Sequence, residues 1–431
     1  MPSPNHYFFL SQGKVLVDGV KNSVVLDLGD GKIYRVNASA KRIIQLGEKG
    51  LKVAETIERL NPEIEASEVC SFLEDLSGKG LLQISVDSKK LTIEEQPSFK
   101  LDFLWIEVTS CCNLRCIHCY AEACENKQLD GLSTEGIKKV ISEAAALGCR
   151  RLQFTGGEPT LRGDLRGLIK HAKAEGFEFI EIFTNGTLLE ESMIKFLAEE
   201  SVHVALSIYS YRSETHDAIT RVPGSFERTM NNLKFLLAYS VSTRCAIVAM
   251  KQNEDELDGT CYFLSKLGVL DRTPDPIRPS GRGKTMENWP EKYGLRFMRT
   301  QPVFLVSQKN YDRNREMNSC WFGKVAVTNS GDVLPCVFSR DQKAGNVKRQ
   351  SLTDIVKSEK MMSFWTLTKD KVEKCKDCEY RYVCEDCRPL AYGFESSLYA
   401  KSPRCTYDPY TGEWMEAEEP RGLAGGCVDK P

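Results

Sequence analysis

Three closely spaced cysteines are the first residues that could do chemistry. Cys112, Cys116 and Cys119 follow the predicted strand Phe103–Val108 in the spacing Cys-x3-Cys-x2-Cys. Three thiolates packed this closely in one loop can bind three iron atoms of a cubane iron–sulfur cluster. No fourth cysteine follows at a regular offset, so one iron would stay open to a ligand that is not protein. A zinc knuckle is the alternative, but zinc sites favour paired CxxC units that close on four ligands.

A second group of cysteines lies toward the C-terminal end of the chain. Its members are too many and too regularly spaced for ordinary core cysteines. Paired CxxC units are typical of zinc ribbons as well as of iron–sulfur sites, so the residues alone leave both open. The group consists of Cys320, Cys336, Cys375, Cys378, Cys384, Cys387 and Cys405.

Small polar residues follow the strands that come after the first cysteine group. The second predicted strand ends in Thr155-Gly156-Gly157-Glu158-Pro159, the third in Thr184-Asn185-Gly186-Thr187 and the fourth in Ser207-Ile208-Tyr209-Ser210. Glycines allow a ligand to approach the backbone closely, and a carboxylate beside them could bind an ammonium group. Because chemistry in β/α barrels occurs at the carboxyl ends of the strands, we expect these residues and the cysteine loop to share one rim.

The composition limits the class of protein. The chain has 431 residues with 17 cysteines, 5 histidines and a formal net charge of -2. It lacks a signal peptide pattern, and so many cysteines in such a long chain indicate a reducing, cytoplasmic location rather than a secreted disulfide scaffold. The charge gives no reason to expect nucleic-acid or membrane binding. No apolar run approaches the length of a transmembrane helix.

The elements that must position these residues indicate an α/β fold in three parts. Residues 1–88 predict a winged-helix-like α+β domain, in which Gly29-Asp30-Gly31 is a hairpin turn and Leu81–Val86 a closing strand. A polar linker follows at 89–100. Residues 101–310 alternate apolar strands with amphipathic helices and predict a partial (β/α)6 barrel, whose sixth strand begins near Val269. Residues 311–431 form a cysteine-rich, turn-rich domain.

The motifs CNLRCIHCY, TGGEP, TNGT and HDAITRVPGSF resemble those of the radical S-adenosylmethionine (SAM) superfamily. This resemblance implies that SAM binds the open iron and is cleaved to a 5′-deoxyadenosyl radical, which abstracts a hydrogen from the substrate. Cys112, Cys116 and Cys119 would then bind the catalytic cluster. The resemblance implies further SAM contacts, namely His118 near the adenine, Gly156, Gly157 and Glu158 at the methionine moiety, Thr184 and Asn185 at the rim, Ser207 near the ribose or amino acid, and Arg221 at the carboxylate.

The C-terminal cysteines resemble a SPASM domain, which carries two auxiliary [4Fe–4S] clusters and would bring the total to three. The last spacing is x2 where x3 is usual, as in the variant found in sactipeptide and ranthipeptide maturases. The resemblance implies that Cys375, Cys378, Cys384 and Cys405 bind the outer auxiliary cluster. Cys320, Cys336 and Cys387 would bind the inner one. Its fourth ligand could be Cys427, Cys261 or a thiolate of the substrate.

The N-terminal domain resembles a PqqD-like recognition element for ribosomally made, post-translationally modified peptides (RiPPs). Such elements bind a leader peptide as an added strand. The predicted edge strand here consists of Lys32, Ile33, Tyr34, Arg35 and Val36, beside a groove with the third helix. A dimerisation or stabilising domain is the alternative. A DNA-binding iron–sulfur sensor is disfavoured because the predicted helices are acidic and would repel phosphates.

The sequence therefore predicts a radical SAM/SPASM peptide maturase that joins a cysteine sulfur to carbon in a precursor peptide with a leader. Its partners would be that peptide and an electron donor of the flavodoxin or ferredoxin type. The same machinery could instead form carbon–carbon or carbon–oxygen cross-links, epimerise residues or mature a quinone cofactor. Anaerobic sulfatase maturation is a further alternative.

Overall fold

The computed structural model describes residues 2–61, 63–88, 100–123, 125, 131–270, 274–291 and 303–414. Most of the predicted linker 89–100, and also Cys427, lie outside these ranges. In the N-terminal part, Asn37 begins the first helix by accepting a hydrogen bond from the Ala40 N–H. The elements are β1 (Tyr7–Leu10), β2 (Lys14–Asp18), β3 (Ser23–Asp27), β4 (Lys32–Val36), α1 (Ala38–Glu48), α2 (Val53–Leu60), α3 (Ala66–Gly78) and β5 (Leu82–Ser85).

The N-terminal strands form two separate antiparallel sheets. Strands β2, β3 and β4 pair in that order, so β4 lies at an edge, as the sequence predicted. Strand β5 pairs with β1 and joins no other strand in the described residues. The sequence did not predict β1, and the winged-helix description remains a prediction.

The three-stranded sheet is covered on both faces. On one face, Val25 packs with Ile43 and Leu73 of the helices. On the other, Val24 and Leu26 pack with the aromatic residues Tyr380 and Tyr407 of the cysteine-rich part. Alternation along the strand explains this, because successive side chains point to opposite faces. The N-terminal domain is therefore docked beside the second cysteine group.

Six parallel strands form the centre of the molecule and pair in chain order. Five lie where the sequence predicted them. The sixth is Pro274–Pro276 rather than the predicted Val269–Leu270, since the Val269 N–H bonds to Leu264 at the end of the preceding helix. The elements are β6 (Phe103–Thr109), α4 (Thr134–Ala146), β7 (Arg151–Gly156), α5 (Leu165–Ala174), β8 (Phe179–Thr184), α6 (Glu191–Glu199), β9 (His203–Ser207), α7 (Ser213–Thr220), α8 (Ser225–Ala238), β10 (Thr243–Ala249), α9 (Leu257–Lys266) and β11 (Pro274–Pro276).

The cysteine-rich part continues the central sheet. Strand β12 lies parallel to β6, and β13 and β14 follow antiparallel, so the sheet has nine strands. The sequence did not predict this continuation. The remaining elements are α10 (Gln308–Glu316), β12 (Lys324–Val327), β13 (Asp332–Leu334), β14 (Gly345–Asn346), α11 (Leu352–Val356), α12 (Glu359–Trp365), α13 (Arg388–Glu395), β15 (Tyr407–Asp408) and β16 (Glu413–Trp414).

Alternation along the parallel strands separates core from cavity. Leu104, Leu152 and Ile180 are fully buried in the main core, together with apolar residues of the helices. Their neighbours one position on, including Gln153 and Glu181, line a cavity instead. Within the described part of the chain, no helix has both the length and the apolar character needed to cross a membrane.

Candidate functional site

The first cysteine loop is fastened to the end of α7. The backbone N–H groups of Arg115 and Ile117 donate to the carbonyl oxygens of Thr220 and Ile219, both at 3.0 Å. These bonds hold the loop between Cys112 and Cys119 against the turn that contains Arg221. Helix α7 itself was not predicted from the sequence.

The three thiols of this loop form one small cluster. Cys112 packs with Cys116 and Cys119, and its Sγ accepts hydrogen bonds from the Leu114 N–H at 3.4 Å and from Asn185 Nδ2 at 3.8 Å. Burial, with a smaller contribution from the neighbouring thiols, raises the pKa of Cys112 and Cys116 to about 12. Because metal binding requires thiolates, a cationic centre would have to offset this cost. Among the described residues, no three such side chains are arranged to hold a single metal ion, whereas three neighbouring thiols are a donor set that suits a multi-iron cluster.

Gly156 and Gly157 allow two chain segments to meet. The Gly157 N–H donates to the Thr109 carbonyl, and the Glu158 N–H donates to the Cys111 carbonyl, both at 2.8 Å. A Cβ on Gly157 would lie 1.9 Å from the Cys111 oxygen. The sequence explained these glycines by close approach of a ligand. The structure adds a requirement within the chain, because any larger residue would push the cysteine loop away.

Glu158 lies at the centre of a buried hydrogen-bond network. Its side chain accepts hydrogen bonds from the Thr184 hydroxyl at 2.6 Å, the Asn185 N–H at 2.8 Å and the Thr160 hydroxyl at 2.7 Å. Burial raises the pKa of this carboxyl above its usual value, although these donors lower it. Glu158 thus ties the end of β7 to the end of β8. Its contact with a SAM ammonium group remains a prediction.

Asn185 links Glu158 to the cysteine loop. Its Nδ2 donates to Asn113 Oδ1 at 2.9 Å as well as to Cys112 Sγ. Asn113 in turn donates to the Thr187 hydroxyl at 2.7 Å. The polar motifs that the sequence assigned to one rim are therefore connected to the first cysteine group.

His118 and Ser207 meet at Tyr209. The His118 ring packs edge-on against the Tyr209 ring, with centroids 4.7 Å apart. Burial lowers the pKa of His118 to about 3, so the imidazole is neutral at physiological pH. The Tyr209 side chain hydrogen-bonds with Ser207 and Cys116, while burial raises its own pKa. Sequence analysis placed Tyr209 at the rim but gave it no role. Arg221 is exposed with a left-handed backbone (φ 58°).

A segment that the sequence left unassigned supports the cysteine loop from the other side. The Arg282 side chain donates from Nε to the Cys116 carbonyl at 2.8 Å. The backbone N–H of Arg282 donates to the Cys119 carbonyl at 3.0 Å. Gly281 packs so closely that a Cβ would lie 2.6 Å from the Cys119 oxygen. The SGRG pattern at 280–283 was the available signal.

A cavity of about 480 Å³ lies inside the parallel strands, beside the first cysteine loop, and one cysteine of the second group lines it. His118 and Tyr120 line it beside the first group, and Cys336 of the second group lines another part. The wall includes Glu181, which pairs with Arg244 through two bonds of 2.9 Å. This cavity is large enough for an amino acid side chain between the two groups.

The second cysteine group occupies two places in the structure, and its assignment to two clusters stays a prediction. Cys375, Cys378, Cys384 and Cys405 line one small cavity, which we call the outer set. Burial raises the pKa of Cys384 to about 12 and that of Cys375 and Cys378 above the usual value. Like the first loop, this set would need a cationic centre to hold thiolates.

Cys320, Cys336 and Cys387 form the inner set. The Cys320 thiol hydrogen-bonds with Cys387, which lowers the pKa of Cys387, and Cys336 acts electrostatically on both. Cys427, one candidate for a fourth ligand, lies outside the described residues. The identity of that ligand stays open.

Comparisons with known proteins agree with this geometry. Residues 106–264 match the radical SAM superfamily, residues 320–379 the SPASM iron–sulfur cluster-binding domain, and residues 22–82 the coenzyme PQQ synthesis protein D (PqqD). The chain is 27% identical over 335 residues to the AdoMet-dependent heme synthase of Methanosarcina barkeri, covering 70% of this chain and 95% of that one. It is 25% identical over 367 residues to the antilisterial bacteriocin subtilosin biosynthesis protein AlbA of Bacillus subtilis, covering 80% and 81%.

Among solved structures, Streptococcus suis SuiB bound to S-adenosylmethionine has a similar fold. The TM-score is 0.55 at 15% identity, covering 92% of this chain and 98% of SuiB. The fold, the cysteine sites and the domain matches define an enzyme of the radical SAM type with a SPASM domain and a PqqD domain. The first two domains give the chain an iron–sulfur cofactor and a SAM site.

Proposed function

We propose that this enzyme modifies a ribosomally made precursor peptide, and that it forms a thioether between a cysteine sulfur and carbon. The observation that carries the proposal is a peptide-sized groove on the PqqD-matched domain, in the same chain as the radical SAM cavity. When bound, the catalytic cluster and SAM supply the 5′-deoxyadenosyl radical. We propose four parts of the chain. Residues 1–88 are the leader-binding domain, 89–100 the linker, 101–310 the radical SAM barrel and 311–431 the SPASM domain.

The groove lies between β4 and α3 and has a volume of about 900 Å³. Tyr34, Arg35 and Val36 of the edge strand form one wall, and Ser71 and Phe72 of α3 contribute to the other. A leader peptide would add as a strand beside β4 and place side chains in the groove. Glu68 and Asp75 line it together with Arg35 and Lys79, and Lys79 pairs with Asp75 at 2.7 Å, so the charges of the lining balance.

The radical SAM site would use the residues already described. Cys112, Cys116 and Cys119 would bind the catalytic cluster through three irons. Glu158 and Arg282 hold the surrounding backbone, and neutral His118 lies beside the cavity as an apolar contact for an adenine. A core residue of the peptide would enter the cavity, where the protein wall excludes water from the reacting carbon.

The inner set supports thioether formation over other bonds. Only Cys320, Cys336 and Cys387 are assigned to this cluster, and Cys336 lines the cavity. A fourth position taken by a peptide thiolate would hold the sulfur inside the same cavity as the reacting carbon. With four ligands, the outer set would hold the third [4Fe–4S] cluster, next to an external donor of the flavodoxin or ferredoxin type.

Coverage favours peptide modification over the other activities in this class. The sequence similarity to AlbA, a bacteriocin biosynthesis protein, spans 80% of the chain, against 70% for the heme synthase. The leader-type groove also counts against sulfatase maturation and against a DNA-binding sensor. The same three domains would also suit carbon–carbon or carbon–oxygen cross-linking, epimerisation or quinone maturation.

The test is iron content and SAM cleavage after anaerobic reconstitution. Three cubanes predict about twelve irons per chain. The variants Cys112→Ala and Cys384→Ala should each lose about four irons, and only the first should abolish 5′-deoxyadenosine formation. About four irons plus zinc in the wild type would refute the ligand assignment.

A further inference from the structure

A buried lysine lies beside the outer set. The Lys369 residue is 8% exposed, although it carries a charged amine. Its Nζ donates a hydrogen bond to Cys384 Sγ at 3.6 Å and lies 3.5 Å from Asp386 Oδ2. Burying a lysine is costly unless something requires its charge. Asp386 also pairs with Arg388, so this buried trio of two cations and one carboxylate keeps one net positive charge beside Cys384.

A buried carboxylate adjoins another of the same four cysteines. Glu379 is 0% exposed and follows Cys378 in the chain, and it accepts a hydrogen bond from the Tyr407 hydroxyl. Its second oxygen has no hydrogen-bond partner among the described residues. Near the outer set therefore lie this trio, whose Lys369 donates to a ligand sulfur, and one further carboxylate, Glu379, which acts on Cys378.

Charges and hydrogen bonds at the ligand sulfurs set the reduction potential of an iron–sulfur cluster. A four-thiolate cluster becomes more negative on reduction, so a nearby cation favours the reduced form and a nearby anion disfavours it. Both side chains are shielded from water, so solvent screens them little.

We propose that Lys369 raises the reduction potential of the cluster held by the outer set, and that Glu379 opposes it. Lys369 is thus a tuning residue that touches a ligand rather than a catalytic residue. The inference rests on the ligand assignment under the proposed function. It assigns Lys369 a role in setting how readily this cluster takes up an electron.

The experiment is an anaerobic redox titration of the reconstituted full-length enzyme, followed by electron paramagnetic resonance. The background carries Cys112→Ala, Cys116→Ala and Cys119→Ala, so that only auxiliary signals remain. The signal that disappears on adding Cys378→Ala is assigned to the outer set. Lys369→Met should shift its midpoint to lower potential, and Lys369→Arg should leave it close to the parent value.

Glu379→Gln should shift the same midpoint upward, since the amide oxygen can still accept the Tyr407 hydrogen bond. Lys371→Met is the matched control, because Lys371 is exposed and donates to the Thr366 carbonyl. It should shift nothing. The opposite signs distinguish a charge effect from structural damage, which would move both variants the same way.

An unchanged midpoint in Lys369→Met with full iron content would overturn the inference and leave the ligand assignment intact. If Lys369→Met fails to load iron, Glu379→Gln decides, and an unchanged or lower midpoint there overturns it. If Cys378→Ala removes no auxiliary signal, the ligand assignment fails and this inference falls with it.

Discussion

Arg35 of the predicted leader strand donates from Nε to the Tyr380 hydroxyl at 2.9 Å. Tyr380 lines the cavity of the outer cysteine set, and its backbone N–H donates to Cys378 Sγ at 3.4 Å. The edge strand that would bind the peptide is therefore two hydrogen bonds away from a candidate cluster ligand. The N-terminal domain is fixed against the iron–sulfur part instead of being tethered by a linker alone.

Substitution of Arg35 by Met should loosen this docking. The hydrogen bond is partly exposed, so we expect a loss of less than about 1 kcal/mol in the free energy of unfolding. Limited proteolysis between the domains should become faster. Unchanged proteolysis would indicate that the apolar face around Val24 and Leu26 is sufficient.

A bulky residue in the groove should block the leader without unfolding the domain. Ser71 is exposed on α3 and lines the groove. We expect Ser71→Trp to weaken binding of a fluorescent leader peptide at least tenfold, about 1.4 kcal/mol or more. Glu74→Trp is the control, because Glu74 is exposed on the same helix but does not line the groove. Equal affinity in both variants would place the leader elsewhere.

Gly157→Ala should displace the catalytic cysteine loop. The added Cβ would meet the Cys111 carbonyl oxygen at 1.9 Å, and backbone atoms cannot yield as a flexible side chain can. We expect loss of about four irons and of SAM cleavage. Gly163→Ala is the control, since a Cβ there would have nothing within 4 Å. Full iron content in Gly157→Ala would show that the loop tolerates the shift.

The stability of the enzyme should fall in mild acid because of His216. This side chain is 1% exposed, and its Nδ1 accepts a hydrogen bond from the Tyr209 N–H at 3.3 Å. Burial lowers its pKa from 6.5 to about 4. Between these values the folded chain binds fewer protons than the unfolded chain, so the free energy of unfolding decreases as pH falls.

Urea denaturation at about pH 7.5 and about pH 5 measures this effect. The His216 contribution should lower the free energy of unfolding by about 2 kcal/mol over that range. His216→Gln, whose amide oxygen can accept the same hydrogen bond, should remove this part of the pH dependence. An identical pH dependence in both proteins would contradict the assignment.

Local patterns made the edge strand β4 and five of the parallel strands predictable, whereas the division of the cysteines into cluster sets stays a prediction. These strands are predictable because they depend on the periodicity and spacing of residues that are close together in the sequence. Contacts between distant segments were not predictable. Lys369 meets Cys384, Arg282 meets Cys116, and β12 pairs with β6, each joining segments that no short motif links.

The glycines of the TGGEP motif illustrate the same limit. The sequence predicted that a ligand approaches Gly156 and Gly157 closely, and that contact stays a prediction. Only the positions of Thr109 and Cys111 reveal the contact within the chain. Similarly, Pro274–Pro276 is too short and too rich in proline to be predicted as a strand. It nevertheless pairs in parallel with β10, because the chain returns to the edge of the sheet after α9.

The most direct test of the central claim is mass spectrometry of a precursor peptide treated with the reconstituted enzyme, SAM and a reductant under anaerobic conditions. The peptide would be one encoded beside the gene. Peptide maturation predicts 5′-deoxyadenosine together with a loss of about two hydrogen masses per thioether formed, dependent on the leader. SAM cleavage that leaves every such peptide unchanged, while a tetrapyrrole or sulfatase peptide without a leader is converted, would contradict the account.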